Sequence, residues 1–252
     1  MVFLAKTSNP NEWKVVAATI QTHVEEATFD ATSEGLNFRA MDPSHVALVD
    51  MVWPNSAFEK YDCDKEFKFS VRVEDFVKLI KRADAKDSVE ITSGDDATLL
   101  LKMSNGYKRE FKLHLIESTY GPTPLPKLAL NSKAQIMEST FEKILNDVST
   151  ISDHITIKSS GDNMVFSGKS DKGTASASLD RKNEDVLELE VKEESEATYS
   201  IEYMSNIVKA AGASSDILTF EYSSKMPLKM QFNLGDAGGK IDFYLAPRID
   251  DK

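Results

Sequence analysis

Ser118–Asn131 reads STYGPTPLPKLALN and holds three of the chain's eight prolines, Pro122, Pro124 and Pro126. Each proline lacks an N–H and restrains its predecessor to extended backbone, so the stretch predicts a semi-rigid connector. Helical periodicity occurs on both sides of it. Upstream, Asn9 suits an N-cap and Pro10 the first helical position, and Trp13, Val16, Ala17, Ile20 and Val24 recur on one face. A second helix begins near Val73 and turns Phe76, Leu79, Ile80 and Ala83 inward. Downstream, a capping box Ser139-x-x-Glu142 predicts the start of a third, with Phe141, Ile144, Leu145 and Val148 apolar. A fourth spans Ile201 to Ala211, with Gly212 expected as a left-handed stop. Alternating stretches predict strands at 47–52, 65–71, 88–92, 98–103, 108–115, 154–158, 174–179, 198–201, 217–222, 228–232 and 240–245, with hairpin turns at Asn105-Gly106 and Gly238-Gly239.

The helices keep step. Pro10 to Ser139 is 129 residues and Glu74 to Glu202 is 128, so each half reads helix, strands, helix, strands. An internal duplication of α+β domains accounts for this most simply. The expected layout is an N-terminal domain at 1–117, an interdomain connector at 118–133 and a C-terminal domain at 134–252.

Composition narrows the function. At 252 residues, 41% hydrophobic and 28% charged, the chain has room for a substantial core and lacks the bias of disordered or collagen-like sequences. No apolar run reaches the roughly 18 residues of a membrane span, and no secretory leader is evident. A single cysteine, Cys63, excludes an internal disulfide and a cysteine-rich zinc site. A reducing intracellular compartment is expected. The net charge of −11 predicts repulsion from nucleic acid if taken whole. By region it is −5 over 1–117, +2 over 118–133 and −8 over 134–252, so any polyanion site must be a local face.

Catalytic patterns are weak. The histidines 23, 45, 114 and 154 show no ligand spacing. Gly235-Asp-Ala-Gly-Gly-Lys240 has the wrong glycine spacing for a phosphate loop and precedes a strand, so it reads as a hairpin. Asp62-Cys-Asp64 and Gly94-Asp-Asp96 read as turns. No enzyme activity, cofactor or metal is expected. Cations lie opposite the apolar stripe of every helix: Lys14, then Lys78, Lys81 and Arg82, then Lys143, then Lys209. Sparse lysines of this kind contact phosphates without reading bases.

The stretch FRAMDPSHVALVD at 38–50 resembles the MD-SHV-LV signature of the proliferating cell nuclear antigen family, the processivity clamps of DNA replication. The ending Tyr244-Leu-Ala-Pro-Arg-Ile249 is similar to that family's YLAP-K/R-I. YDCDKEFKFSV, VKLIKRA, the proline-rich connector and Met226-Pro-Leu228 fall in the family's order, so the resemblance covers essentially the whole chain.

The resemblance implies two domains of the clamp fold per subunit, three subunits in a ring, helices lining a hole for duplex DNA, and antiparallel sheets outside. It places Lys14, Lys78, Lys81, Arg82, Lys143 and Lys209 against DNA. Asn146 and Thr150 stand where some members carry Arg and His, so the second-domain lining is expected to be weaker. Ring closure would pair edge strands around Lys108, Arg109 and Lys112 in one subunit and Ala175, Ala177 and Leu179 in the next. Partners would insert a Gln-x-x-aliphatic-x-x-aromatic-aromatic peptide into a pocket of Met41, His45, Val46, Leu48, Leu125, Pro126, Pro227, Tyr244, Ala246 and Pro247. The implied partners are DNA polymerase, the clamp loader (replication factor C), flap endonuclease and DNA ligase, with no membrane. Gly161 in place of the lysine that eukaryotic clamps modify, and a short tail, favour an archaeal, cytoplasmic (nucleoid) protein; a eukaryotic one would be nuclear. The alternatives are a subunit of a heterotrimeric clamp, a protein-only β-rich scaffold and a β-rich enzyme with an unrecognised site.

Overall fold

The computed structural model describes residues 3–118 and 123–249; positions 119–122, including Pro122 of the connector, lie outside the described residues. The first half of the chain forms β1 (Phe3–Thr7), α1 (Pro10–Gln21), β2 (Glu26–Thr32), β3 (Gly35–Met41), β4 (Ala47–Pro54), β5 (Lys60–Cys63), β6 (Phe67–Arg72), α2 (Val73–Ile80), β7 (Ser88–Ser93), β8 (Thr98–Asn105) and β9 (Tyr107–His114). The second forms β10 (Ser132–Met137), α3 (Glu138–Ser149), β11 (His154–Ser160), β12 (Asn163–Ser170), β13 (Gly173–Asp180), β14 (Val186–Val191), β15 (Ser195–Ser200), α4 (Ile201–Ala211), β16 (Ile217–Tyr222), β17 (Leu228–Leu234) and β18 (Gly239–Leu245).

The order is the same in both halves, each element starting 126 to 132 residues after its counterpart. Strand neighbours repeat as well. β5-β1-β7-β8-β9 is matched by β14-β10-β16-β17-β18, and β4-β3-β2-β6 by β13-β12-β11-β15. The duplication expected from helix spacing is therefore visible in the pairing. By contacts the chain divides into one unit of Met1–Pro124 with Asn233–Ile241 and another of Leu125–Phe232 with Asp242–Lys252.

In the first unit α1 starts as expected, with the Asn9 carboxamide oxygen accepting from the Asn11 N–H at 3.1 Å. Its inward face places Trp13 against Trp53 of β4, ring centroids 4.7 Å apart, and against Phe76 of α2 at 6.2 Å. Phe29, Phe38 and Phe69 extend the cluster. Full burial of each such side chain is worth roughly 1.5–3 kcal/mol before entropy. The second unit packs Phe141 of α3 against Phe166 and Phe220 instead.

Three local expectations are corrected. α3 begins at Glu138 after Met137, with no side-chain cap; Ser139 is already helical, and the Thr140 hydroxyl donates to Asp185 at 2.8 Å. Gly212 is right-handed at φ −58°, so its backbone does not call for glycine; a Cβ there would stand 2.3 Å from a Glu138 carboxylate oxygen, the end of a flexible side chain that can shift. Ser132 and Lys133, read as connector, begin β10.

The sheets end at β5, β6, β9, β13, β14 and β15. Four of these edges are blunted. β5 has only four residues; the Ile116 N–H donates to the Ser70 carbonyl of β6 at 2.9 Å; and the Arg248 N–H donates to the Thr198 carbonyl of β15 at 2.7 Å. Arg181 donates to the Leu189 carbonyl of β14 at 2.5 Å. β9 and β13 are different. Each is eight residues long, each has one neighbouring strand among the described residues, and they share one pattern in which every other residue from the third onward is half-buried or buried. Long uncovered edges are templates for another strand.

Candidate functional site

The helix faces come first. Lys78, Lys81 and Arg82 are exposed at the end of α2, as are Lys143 on α3 and Lys209 on α4, while Lys14 on α1 is half-buried. Lys78 is bonded to Glu74 one turn back at 2.5 Å. That bond raises the lysine's pKa and lowers the carboxylate's. Lys81 reaches the Gln21 side chain at 3.4 Å. Acidic residues dilute the rest: α3 sets Glu138, Glu142 and Asp147 against Lys143, and α4 sets Glu202 against Lys209. Net positive charge is thus confined to the end of α2, and the second-half helices are neutral or acidic.

Arg109 occupies a different environment from the one expected. On β9 its guanidinium bonds Asp87, donates to the Arg82 carbonyl at 2.8 Å, and lies 5.2 Å from the centre of the Tyr107 ring. Asp87 is fully buried and also accepts the Asp84 N–H at 2.6 Å. Burial alone would raise this carboxyl; the Asp84 N–H, the Arg109 bond and charge, and Lys14 outweigh it and hold the pKa below the ordinary value. Arg109 is therefore committed within its own unit. Lys108 and Lys112 on the same strand are exposed, and on β13 Ala175 and Ala177 are half-buried while Leu179 is 6% exposed.

The loop between β3 and β4 holds the second candidate surface. Met41 and Val46 are half-buried and His45 is exposed. Leu48, expected in the pocket, is 3% exposed on the buried stretch of β4 and belongs to the core. Met41 and His45 line a cavity of about 520 Å³ in the first unit. Its floor is one face of the strands β2, β3, β4 and β6, where Arg39 pairs with Asp50 at 2.8 Å and Lys68 with Asp30 at 3.1 Å. These are direct cross-strand partners. Period-two alternation of Glu26, Thr28 and Asp30, and of Asn37, Arg39 and Met41, is the signal that reveals this face; the sequence reading did not recognise β2 or β3. In the second unit Leu125 is 38% exposed, and Pro126, Pro227, Tyr244, Ala246 and Pro247 are half-buried.

Among the described residues no three His, Cys, Asp or Glu side chains are grouped to hold a metal ion, and no helix is long and apolar enough to cross a membrane.

Known proteins share this arrangement. Residues 2–119 match the model of the proliferating cell nuclear antigen N-terminal domain, and residues 125–248 match that of its C-terminal domain. A DNA polymerase sliding clamp of Nitrosopumilus maritimus is 49% identical over 99% of this chain and 100% of its own. That of Cenarchaeum symbiosum is 48% identical over 99% of both. Among solved structures, a chain of the PCNA2–PCNA3 complex of Sulfolobus tokodaii superposes with a TM-score of 0.89 at 31% identity, covering 97% of this chain and 99% of its own. PCNA of Thermococcus kodakaraensis reaches 0.92 at 24% identity over 98% and 100%. With both halves matched in order and near-full-length relatives close to half identical, this chain belongs to the proliferating cell nuclear antigen family.

Proposed function

We propose that this chain is a ring subunit of a sliding clamp, which encircles duplex DNA and tethers DNA polymerase to it without chemistry of its own. The observation that carries this is the pair of uncovered eight-residue edges, β9 and β13, in a doubled fold. Running β9 of one copy along β13 of the next covers both, with Lys108 and Lys112 beside a strand whose Ala175 and Ala177 leave room for close approach. A head-to-tail contact of this kind closes into a ring when the rotation allows, here with three subunits. Lys14, Lys78, Lys81, Arg82, Lys143 and Lys209 face the duplex and touch phosphates without reading sequence. Met41, His45 and Val46, with Leu125, Pro126, Pro227, Tyr244, Ala246 and Pro247, take the docking peptides of polymerase, clamp loader, flap endonuclease and ligase. Work at the nucleoid of an archaeal cytoplasm follows.

Loading onto nicked circular DNA followed by linearisation tests the topology. Retention on the circle and loss from free ends is the expected result; equal retention on both overturns it.

The PCNA2–PCNA3 neighbour at 31% identity favours a second reading, one subunit of a mixed ring. Light scattering on the chain alone distinguishes them: a trimer of this chain supports the homotypic ring, and a monomer or dimer the mixed one.

A further inference from the structure

We propose that Asp42 is a positioning residue for partner docking, one that shapes the loop presenting Met41 and His45; this rests on the docking function proposed above. Asp42 is 6% exposed. One carboxylate oxygen accepts the N–H groups of Val46 and Ala47 at 2.7 and 2.6 Å, and the other accepts that of Ser44 at 3.1 Å. The Asp42 N–H donates to the Ala47 carbonyl at 2.8 Å, and the His45 N–H to the Asp42 carbonyl at 3.0 Å. Five backbone bonds converge on one residue and close 42–47 into a tight turn.

Within that turn His45 is held at φ +59°, a left-handed conformation that non-glycine residues rarely adopt without support. The consequence is directional, because His45 and Met41 both line the cavity. Without the carboxylate, three buried or half-buried N–H groups lose their acceptor and His45 is free to return to a right-handed or extended backbone.

The test uses the full-length assembled protein and a fluorescein-labelled synthetic peptide of pattern Gln-x-x-Leu-x-x-Phe-Phe, followed by anisotropy. Asp42→Ala is expected to weaken the peptide by about 20-fold and to speed amide exchange at Val46 and Ala47, with assembly size unchanged. Asp42→Asn, which keeps one acceptor oxygen for those two N–H groups, should recover to within about fivefold of the unsubstituted protein. If Asp42→Ala fails to assemble, Asp42→Asn decides alone: weaker binding with faster exchange at Ser44 supports the role. Peptide binding within about twofold for every variant overturns the positioning role while leaving docking intact. Failure of the unsubstituted protein to bind the peptide overturns both.

Discussion

Glu12 in the first turn of α1 and His23 just beyond its end respond to pH with opposite signs. Burial, then the charge of Asp236, raises the Glu12 pKa above the ordinary carboxylate value. A raised carboxylate favours the fold below its unfolded pKa and loses that contribution as pH rises through the folded value. At neutral pH ionised Glu12 is therefore a cost, and Glu12→Gln should stabilise the protein by under about 1 kcal/mol, a half-exposed group being partly screened by water. Melting curves check this: the gain should be present at pH 7 and absent near pH 4. For His23 burial lowers the pKa, against opposing effects of the Thr19 carbonyl and Asp42. Its contribution is present above the ordinary imidazole range and is lost as pH falls below it. Mild acid should thus loosen the end of α1 first, which amide exchange near Thr22–Val24 would detect. Gly35 is a third sensitive residue. At φ +150° a Cβ would stand 2.2 Å from the Trp53 carbonyl oxygen, a backbone atom that cannot swing away, so Gly35→Ala should cost at least about 2 kcal/mol in denaturant unfolding.

Among the elements, β13 gives the sharpest test of ring closure. Ala177→Glu places a charge at a half-buried position of an edge strand, a device that blocks strand addition. Its expected effect is loss of the trimer in light scattering with an unchanged circular dichroism spectrum; an intact trimer would move the interface elsewhere. The elements also show what was legible in sequence. All four helices were, because their apolar stripes at 3.6-residue spacing are what pack Trp13, Phe76, Phe141 and Ile207 inward. β1, β2, β3, β5, β10, β12 and β14 were not in the strand reading, β5 being only four residues long. The expected cap of α3 failed where a tertiary contact replaced a local one, Thr140 bonding Asp185. Of the site, cations could be placed on helix faces by spacing, but not every partner could. The i,i+4 spacing of Glu74 and Lys78 does announce their ion pair, but nothing local announces that Arg109 serves buried Asp87. The Asp42 turn was equally hidden, being a matter of which N–H groups one carboxylate collects.

For the whole molecule, the −11 total is compatible with DNA because attraction is local and thin. With net positive charge concentrated at the end of α2, Lys81→Glu should reduce polymerase processivity more than Lys209→Glu does, with the trimer intact in both. Equal losses would mean the second-half helices contribute as much. Since a closed ring leaves only by opening, retention on circular DNA should change little between about 50 mM and 200 mM salt, whereas binding to short linear duplex falls steeply. One feature bears on how the chain is made. Residues 233–241 belong to the first unit, where Gly235 lies against Glu12 and Gly239 against Trp53. Domains usually complete themselves in order as they leave the ribosome. Here the first unit includes a segment translated after most of the second, so a nascent or truncated chain that stops before residue 233 leaves the first unit without its partner for Glu12 and Trp53.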